Sequence, residues 1–253
     1  MARKQINGFV IRGFSMGESS RVITLFTGEN GKLKCVAKGA RKSATKKGGA
    51  LELFSLVRCN IYLKENVELG TIGSVDMIDD YSAIAADPAK FGFASAFCEI
   101  LDKSTSIDQP IIELFDLTAE FFSHIMKSPG QNSAPLFWAA FIKTLAILGY
   151  QPRLYECVVC GKKNEDRAAF YDSQKGGIIC SDDVLEHVQY GKLSKTSLRI
   201  LQDFLSRPLS EIVNIECTQK NLGEIEQFIL SFADYHSGLR RNLKSFKFLS
   251  QLK

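Results

Sequence analysis

RVITLFTGENGKLKCVAK, residues 21–38, contains two strand-like runs around a tight turn. The first run, 21–26, is rich in β-branched and aromatic residues and is followed by Gly28-Glu29-Asn30-Gly31, a turn-forming tetrad. The second, 32–38, alternates. Lys32, Lys34, Val36 and Lys38 fall on one face, and Leu33, Cys35 and Ala37 fall on the other. Period-two alternation of this kind marks a half-buried strand with a cationic outer side. Working outward, 7–14 reads as a preceding strand. Residues 51–63 resume strand character through Leu53, Leu56, Val57, Ile61 and Tyr62, and the turn Lys64-Glu65-Asn66 leads into a last strand at 67–75. Five short strands predict a small closed or nearly closed β-barrel. The OB-fold, which binds single-stranded nucleic acid on one face, is the leading candidate, and an SH3-like barrel is also compatible with the strand count.

The next stretch carries the strongest charge signal. Lys38, Arg41, Lys42, Lys46 and Lys47 crowd together just downstream of Lys32 and Lys34, and no acidic residue lies between Glu29 and Glu52. Residues 1–50 hold eleven basic and two acidic residues, whereas 51–150 hold six and thirteen, so the formal net charge of +4 hides a basic front end. Like charges at this density repel unless salt or a polyanion screens them. A solvated loop is the plain reading; a loop that tracks a phosphate backbone is the functional one, favoured by the cationic strand beside it. Neither Gly28 nor Gly39 opens a GxxxxGK[ST] phosphate loop, so a nucleotide pocket is not expected.

After Ile84 the periodicity becomes helical. Pro88 opens a run with Phe91, Ala94, Ser95, Cys98 and Leu101 at helical spacing; 110–127 and 135–148 make two further helices, and 195–205, 218–235 and a short terminal segment make the rest. The first residues show no secretory h-region, and no run reaches the length of a membrane span.

Between these helices lies an irregular segment, 155–190, with Cys157-Val-Val-Cys160-Gly161 and, after Gly176-Gly177, Cys180. A two-residue gap lets two thiolates of one turn reach the same ion, and a second turn completes a tetrahedron. The position that would hold a fourth cysteine is Asp183, whose carboxylate can ligate zinc; His187 is the alternative fourth ligand. One structural zinc per chain is the expectation, against a redox pair or a finger that has lost its metal. Seven cysteines, odd in number and scattered, suit a reducing cytoplasm better than a disulfide framework. Glu156, not proline, precedes Cys157, and the histidines read His124-Ile-Met, His187-Val-Gln and His236-Ser-Gly, so neither the deaminase H-x-E nor H-E-x-x-H is present. No catalytic residue is assigned. A zinc-dependent enzyme that uses the barrel to hold nucleic acid is the alternative function, and an RNA-binding barrel protein is a third.

Taken together, VITLFTGENGKLKCVAKGARKSATKK at 22–47, Gly149-Tyr150-Gln151-Pro152 leading to the Cys157/Cys160 turn, Gly176-Gly177 before Cys180, and the ending with Tyr235-His236, Arg240-Arg241, Leu243-Lys244-Ser245 and Phe248-Leu249 resemble the bacterial RecO family, AKGARKS at 37–43 being the most specific part. Asp183 stands where zinc-bearing members have cysteine. The resemblance implies an α+β multidomain protein: an N-terminal five-stranded OB-fold barrel at 1–82, then a helical domain at 83–253 with a zinc-finger-like insertion at about 155–190. It implies a non-enzymatic mediator of recombinational DNA repair that binds single- and double-stranded DNA and anneals single strands. It also implies partnership with RecR, contact with the C-terminal tail of single-stranded-DNA-binding protein, help in loading recombinase on coated strands, and a cytoplasmic, nucleoid-associated location without a membrane.

Overall fold

The computed structural model describes residues 2–40, 46–63, 69–107, 109–165, 167–239 and 243–249 of the 253-residue chain. Five strands open it: β1 (Ala2–Met16), β2 (Ser20–Thr27), β3 (Gly31–Ala37), β4 (Leu56–Leu63) and β5 (Leu69–Asp79), with a short helix α1 (Lys46–Ala50) before β4. They close in the order β1-β2-β3-β5-β4. β1 is long enough to serve two partners: Ala2 to Phe9 pair with β4, and Phe9 to Met16 pair with β2. The parallel pairing of Lys34, Cys35 and Val36 with Leu69, Gly70 and Thr71 shuts the barrel. That closure is the OB-fold's and sets the SH3-like alternative aside.

Alternation behaves as expected inside the barrel. Ile6, Val10, Ile23, Leu25, Leu33, Cys35, Ala37, Val57, Cys59, Ile61, Ile72 and Val75 form one buried cluster. Two glycines are required by geometry. Gly31 has φ of 63°, and a Cβ there would lie 2.6 Å from the backbone nitrogen of Gln109; a Cβ at Gly70 would lie 2.8 Å from Ile61 Cγ2.

Residues 51–55, expected as strand, form an irregular turn instead. Phe54 has φ of 74° although it is neither glycine nor asparagine. Its N–H donates to the Val10 carbonyl and the Ser55 carbonyl accepts from the Val10 N–H, both at 2.9 Å, so the turn is stitched onto β1. The expected turn at 64–66 lies outside the described residues.

Helix α2 (Pro88–Ser104) begins with Asp87 as its N-cap, the carboxylate accepting from the N–H groups of Ala89 and Lys90. Helix α3 (Ile112–Lys127) follows. Their aromatic faces meet barrel residues and each other: Phe9 lies 5.0 Å from Phe115 and 5.4 Å from Phe122, Phe54 lies 5.5 Å from Phe122, and Phe97 of α2 lies 4.5 Å from Phe121 of α3, centroid to centroid. For that reason one compact unit comprises residues 1–127 together with 245–253, rather than ending with the barrel at 82. The returning segment is a terminal helix that packs on α2, with the Ser245 N–H donating to Glu99 Oε2 at 2.8 Å.

The second compact unit, 128–244, is built on α4 (Ser133–Ile147), whose residues from Leu136 to Ile142 are all buried. A helix apolar on every side belongs at the centre of its unit. Around it pack α5 (Lys195–Ser206), the short α6 (Leu209–Ile212) and α7 (Gln219–Ser237). α7 starts with a capping box between Thr218 and Asn221 and ends at Gly238, whose φ is 63°. The segment read as irregular carries a small antiparallel sheet, in the order β7-β6-β8, of β6 (Ala169–Asp172), β7 (Gly177–Ile179) and β8 (Gly191–Leu193). Tyr171 of β6 packs edge-on against Phe228 of α7 at 4.9 Å, anchoring the module. The terminal helix of the first unit is α8 (Ser245–Leu249).

Candidate metal centre and nucleic-acid interface

Two turns build the metal centre. In the first, the Val158 N–H donates to the Ile178 carbonyl, the Cys157 N–H to the Lys162 carbonyl and the Gly161 N–H to the Cys157 carbonyl, each at 2.9 Å. Gly161, with φ of 75°, makes that reversal possible. In the second, Ser181 to Asp183 form a 3-10 turn that swings the aspartate back toward Cys180. The ligating atoms of Cys157, Cys160, Cys180 and Asp183 all lie within 4.8 Å of one another. Asp183 Oδ2 is 3.1 Å from Cys157 Sγ and 2.9 Å from Cys180 Sγ, and the sulfurs of Cys160 and Cys180 are 3.7 Å apart. His187 is exposed and is not among the four.

The donor set fits a tetrahedral metal. Bonds of about 2.3 Å to sulfur imply sulfur–sulfur edges of roughly 3.8 Å, close to the observed Cys160–Cys180 spacing. The N–H groups of Val159 and Cys180 point at Cys157 Sγ, each at 3.4 Å, as they do toward a thiolate. Burial pushes the Cys157 thiol up, but the N–H groups of Cys160, Cys180 and Val159 outweigh it and leave its pKa below the usual value. Asp183 acts in the opposite sense on its neighbours. Its hydrogen bond holds the Cys180 thiol up to about 12 and raises Cys160, while thiol donation from Cys160, Cys180 and Cys157 brings the carboxyl down to about 2. Thiol protons thus occupy the place a divalent cation would take, and such an ion would serve as a cross-link between the two turns.

The nucleic-acid candidates are partly brought together. Lys34 on β3 and Lys38 just past its end are exposed, whereas Val36, which the alternation puts on the same face, is buried. Lys32 is also withdrawn: its side chain is only 12% exposed, its Nζ lies 3.2 Å from Asp102 Oδ1, and it also donates to the Asp102 carbonyl. The same carboxylate holds Arg12 Nη1 at 3.1 Å. Lys32 is therefore committed to a structural ion pair at the end of α2, contrary to the expectation that it faces solvent beside Lys34. Arg41 and Lys42 lie outside the described residues, as do the side chains of Lys46 and Lys47.

Two surface residues escaped the sequence reading. Ile6 and Val10 face the barrel interior, and unbroken alternation would put Arg12 and Phe14 there too. The register shift between Val10 and Arg12 turns both outward, so that Arg12 pairs with Thr24 and Phe14 with Val22. Phe14 is 52% exposed. Across the strands, Arg12–Thr24–Lys34–Leu69 and Phe14–Val22–Val36–Thr71 form two adjacent rows of one outer face. An exposed aromatic ring next to an arginine, with a lysine two strands away in that arginine's row, offers the stacking surface and positive charge that hold single strands.

A closed five-stranded barrel with this outer face, followed by helices and a cysteine–carboxylate module, defines an OB-fold protein of the multidomain, finger-bearing kind. The family model described as Recombination protein O N terminal matches residues 1–81, and that described as Recombination protein O C terminal matches 85–245. The chain belongs to the RecO family of DNA repair proteins. Among its relatives, the DNA repair protein RecO of Syntrophotalea carbinolica is 31% identical over 247 residues, covering 96% of this chain and 92% of the relative. That of Bacillus pumilus is 28% identical over 245 residues, covering 97% and 93%. That of Anaeromyxobacter dehalogenans is 27% identical over 252 residues, covering 100% and 98%. The family division at 81/85 follows the end of the barrel, whereas the compact units divide at 127/128. Among the described residues, no helix is long and apolar enough to cross a membrane.

Proposed function

We propose that this chain is a non-enzymatic mediator of recombinational repair that binds and anneals single-stranded DNA and also engages duplex DNA. In this reading it works with RecR, meets the C-terminal tail of single-stranded-DNA-binding protein, and helps recombinase load on strands coated by that protein. The carrying observation is the outer face of β1–β3, where Arg12, Phe14 and Lys34 lead toward the basic stretch at 38–47. Family membership supports the partners; the acidic, apolar-ended tail of single-stranded-DNA-binding protein would lie in a groove among the helices after Ile84, with a lysine or arginine meeting its carboxylate. Zinc is the metal proposed for the Cys157, Cys160, Cys180 and Asp183 set. Four protein donors leave no coordination position to a reacting water, which favours a structural role over the enzyme alternative. The proposed location is the cytoplasm, at the nucleoid.

A salt titration with a labelled oligonucleotide tests the strand-binding core of this reading. Some four to six phosphate contacts give a slope of log affinity against log salt of roughly −3 to −4. Arg41→Ala with Lys42→Ala should flatten that slope by about one unit and weaken all sequences alike. Folding stability should stay within about 0.5 kcal/mol, since solvated charges leave no buried group unpaired. An unchanged slope in that double variant returns the loop to mere solvation. Phe14→Ala should weaken binding by about 1–3 kcal/mol with little change in slope, because a ring stacks on bases and does not neutralise phosphates. Equal affinity for wild type and this variant would remove Phe14 from the interface.

A further inference from the structure

The first unit holds a pocket of about 330 Å³ on the side of the barrel where β1 pairs with β4, closed by the β2–β3 turn and the start of α3. Its polar wall follows from the pleat. Ile6 points into the barrel, so its neighbours Gln5 and Asn7 point outward, and Asn7 pairs with Arg58 of β4. Asn7 Oδ1 accepts from Arg58 Nε at 3.2 Å, which fixes the two side chains against each other. The Gln5 side chain makes no hydrogen bond among the described residues. Arg58 and Glu29 are the only charged residues of the lining, so the pocket is formally neutral. Glu29 is exposed and pairs with no cation among the described residues.

The other wall is apolar and open. Ile112, the first residue of α3, is 58% exposed, more than any other large hydrophobic residue among those described. Phe115 lies three residues on, along the same helix face, and is held at 5.0 Å from Phe9 and 6.3 Å from Phe26. Gly28 has no positive φ to account for it. A Cβ there would lie 3.3 Å from Phe115 Cγ, so a larger residue in this turn would crowd the ring and narrow the pocket.

We infer that this pocket takes one unpaired base of a strand bound to the barrel, its polar edge on the carboxamides of Gln5 and Asn7 and its face against Ile112 and Phe115. The inference rests on the strand-binding reading above and deepens it with a contact made to a base rather than to phosphates. A carboxamide presents a donor and an acceptor side by side, as base edges do, and a carboxylate accepts from an exocyclic amino group. With one arginine and one glutamate, the lining offers a bare phosphate or a run of carboxylates no net attraction, so the acidic tail keeps its groove among the helices. Asn7 lies five residues before Arg12, about 17 Å along β1 at the usual rise. An oligonucleotide of OB-fold site size, about 4–16 nucleotides, is long enough to occupy both places.

The test uses the full-length chain and two labelled oligonucleotides of equal length, one carrying bases and one abasic throughout. Asn7→Ala with Ile112→Ser should bind the base-bearing strand about tenfold more weakly and the abasic strand as wild type does. The salt slope should not change, because no phosphate contact is lost. Ile112→Leu should bind like wild type. Ile112→Ser alone, at an exposed position, should lose part of the affinity in a chain of unchanged stability, so a folding defect cannot imitate the result. A double variant with wild-type affinity for both strands overturns the inference. So does an equal loss on both strands, which marks a backbone contact or a distorted barrel. If Lys34→Ala with Lys38→Ala weakens binding in the same series, the strand-binding reading survives that failure. Wild type that binds neither strand overturns both. Binding of the base-bearing strand unchanged, while binding of a glutamate-rich peptide with an apolar end is lost, gives the pocket to a protein segment and likewise overturns the inference.

Discussion

Cys157→Ser is expected to abolish metal retention. Metal analysis should fall from about one zinc per chain in the wild type to a small fraction of that, because structural zinc sites are held by apparent free energies of about 10–16 kcal/mol in small finger peptides. Cys157 is the pivot of the site: its sulfur accepts from Val159 and Cys180 and faces Asp183. Hydrogen exchange should rise across 155–190 and leave the barrel strands unchanged. Asp183→Ala should lose the ion as well, whereas His187→Ala should keep it. The proton count gives a further check. In the metal-free chain Cys180 titrates at about 12 and Cys160 is also raised, so both are thiols at neutral pH. Loading zinc should then release about two protons or more, read from calorimetry in buffers of different ionisation enthalpy. Metal-free wild type, equal in stability to Cys157→Ser, would end the structural-zinc reading.

Phe54→Ala should destabilise the first unit by about 3–5 kcal/mol, as expected for deleting a fully packed aromatic ring. The ring touches Phe91 and Phe122, at 5.9 and 5.5 Å between centroids. Its backbone adds a signature that a simple cavity would not have. At φ of 74° any side chain with a Cβ is strained, by roughly 1–2 kcal/mol. Phe54→Gly should therefore be no less stable than Phe54→Ala, the reverse of the order at ordinary core positions. Chemical denaturation of the three proteins settles it, and a glycine variant clearly weaker than alanine would show that the turn carries no strain.

The barrel was legible because β2 is rich in β-branched and aromatic residues and period-two alternation survives in part of β3: the split of Leu33, Cys35 and Ala37 from Lys34 is a consequence of the pleat alone. The turn at 51–55 was not. Leu51, Leu53, Phe54, Leu56 and Val57 read as a continuous apolar strand, and nothing in composition marks Phe54 as the residue that reverses the chain. Phe14 was hidden by a one-residue register shift, which leaves no trace in residue types. Lys32 was misplaced because its partner, Asp102, is seventy positions away in sequence. In the module, the cysteine spacing announced a cluster that could hold a metal, but three- and four-residue strands are too short to show a period. The choice between Asp183 and His187 depended on the 3-10 turn at Ser181. Helical spacing identified the aromatic faces of α2 and α3 correctly, yet a helix face does not say which neighbour it covers, so their place against Phe9 and Phe54 emerged only from the fold.

The return of α8 to α2 makes the first unit discontinuous in the chain, and this bears on how the protein is made. A ribosome delivers residues 1–127 first, then all of 128–244, and only afterwards the helix at 245–249 that completes the earlier unit. At 5–20 residues per second the gap is on the order of ten seconds. Throughout that interval the surface of α2 that receives α8 is uncovered, and the Glu99 carboxylate lacks the Ser245 N–H. Nascent chains stalled before residue 245 should accordingly be more open to proteolysis at α2 than chains extended past α8, so that delivery of this helix serves as the last folding step of the first unit.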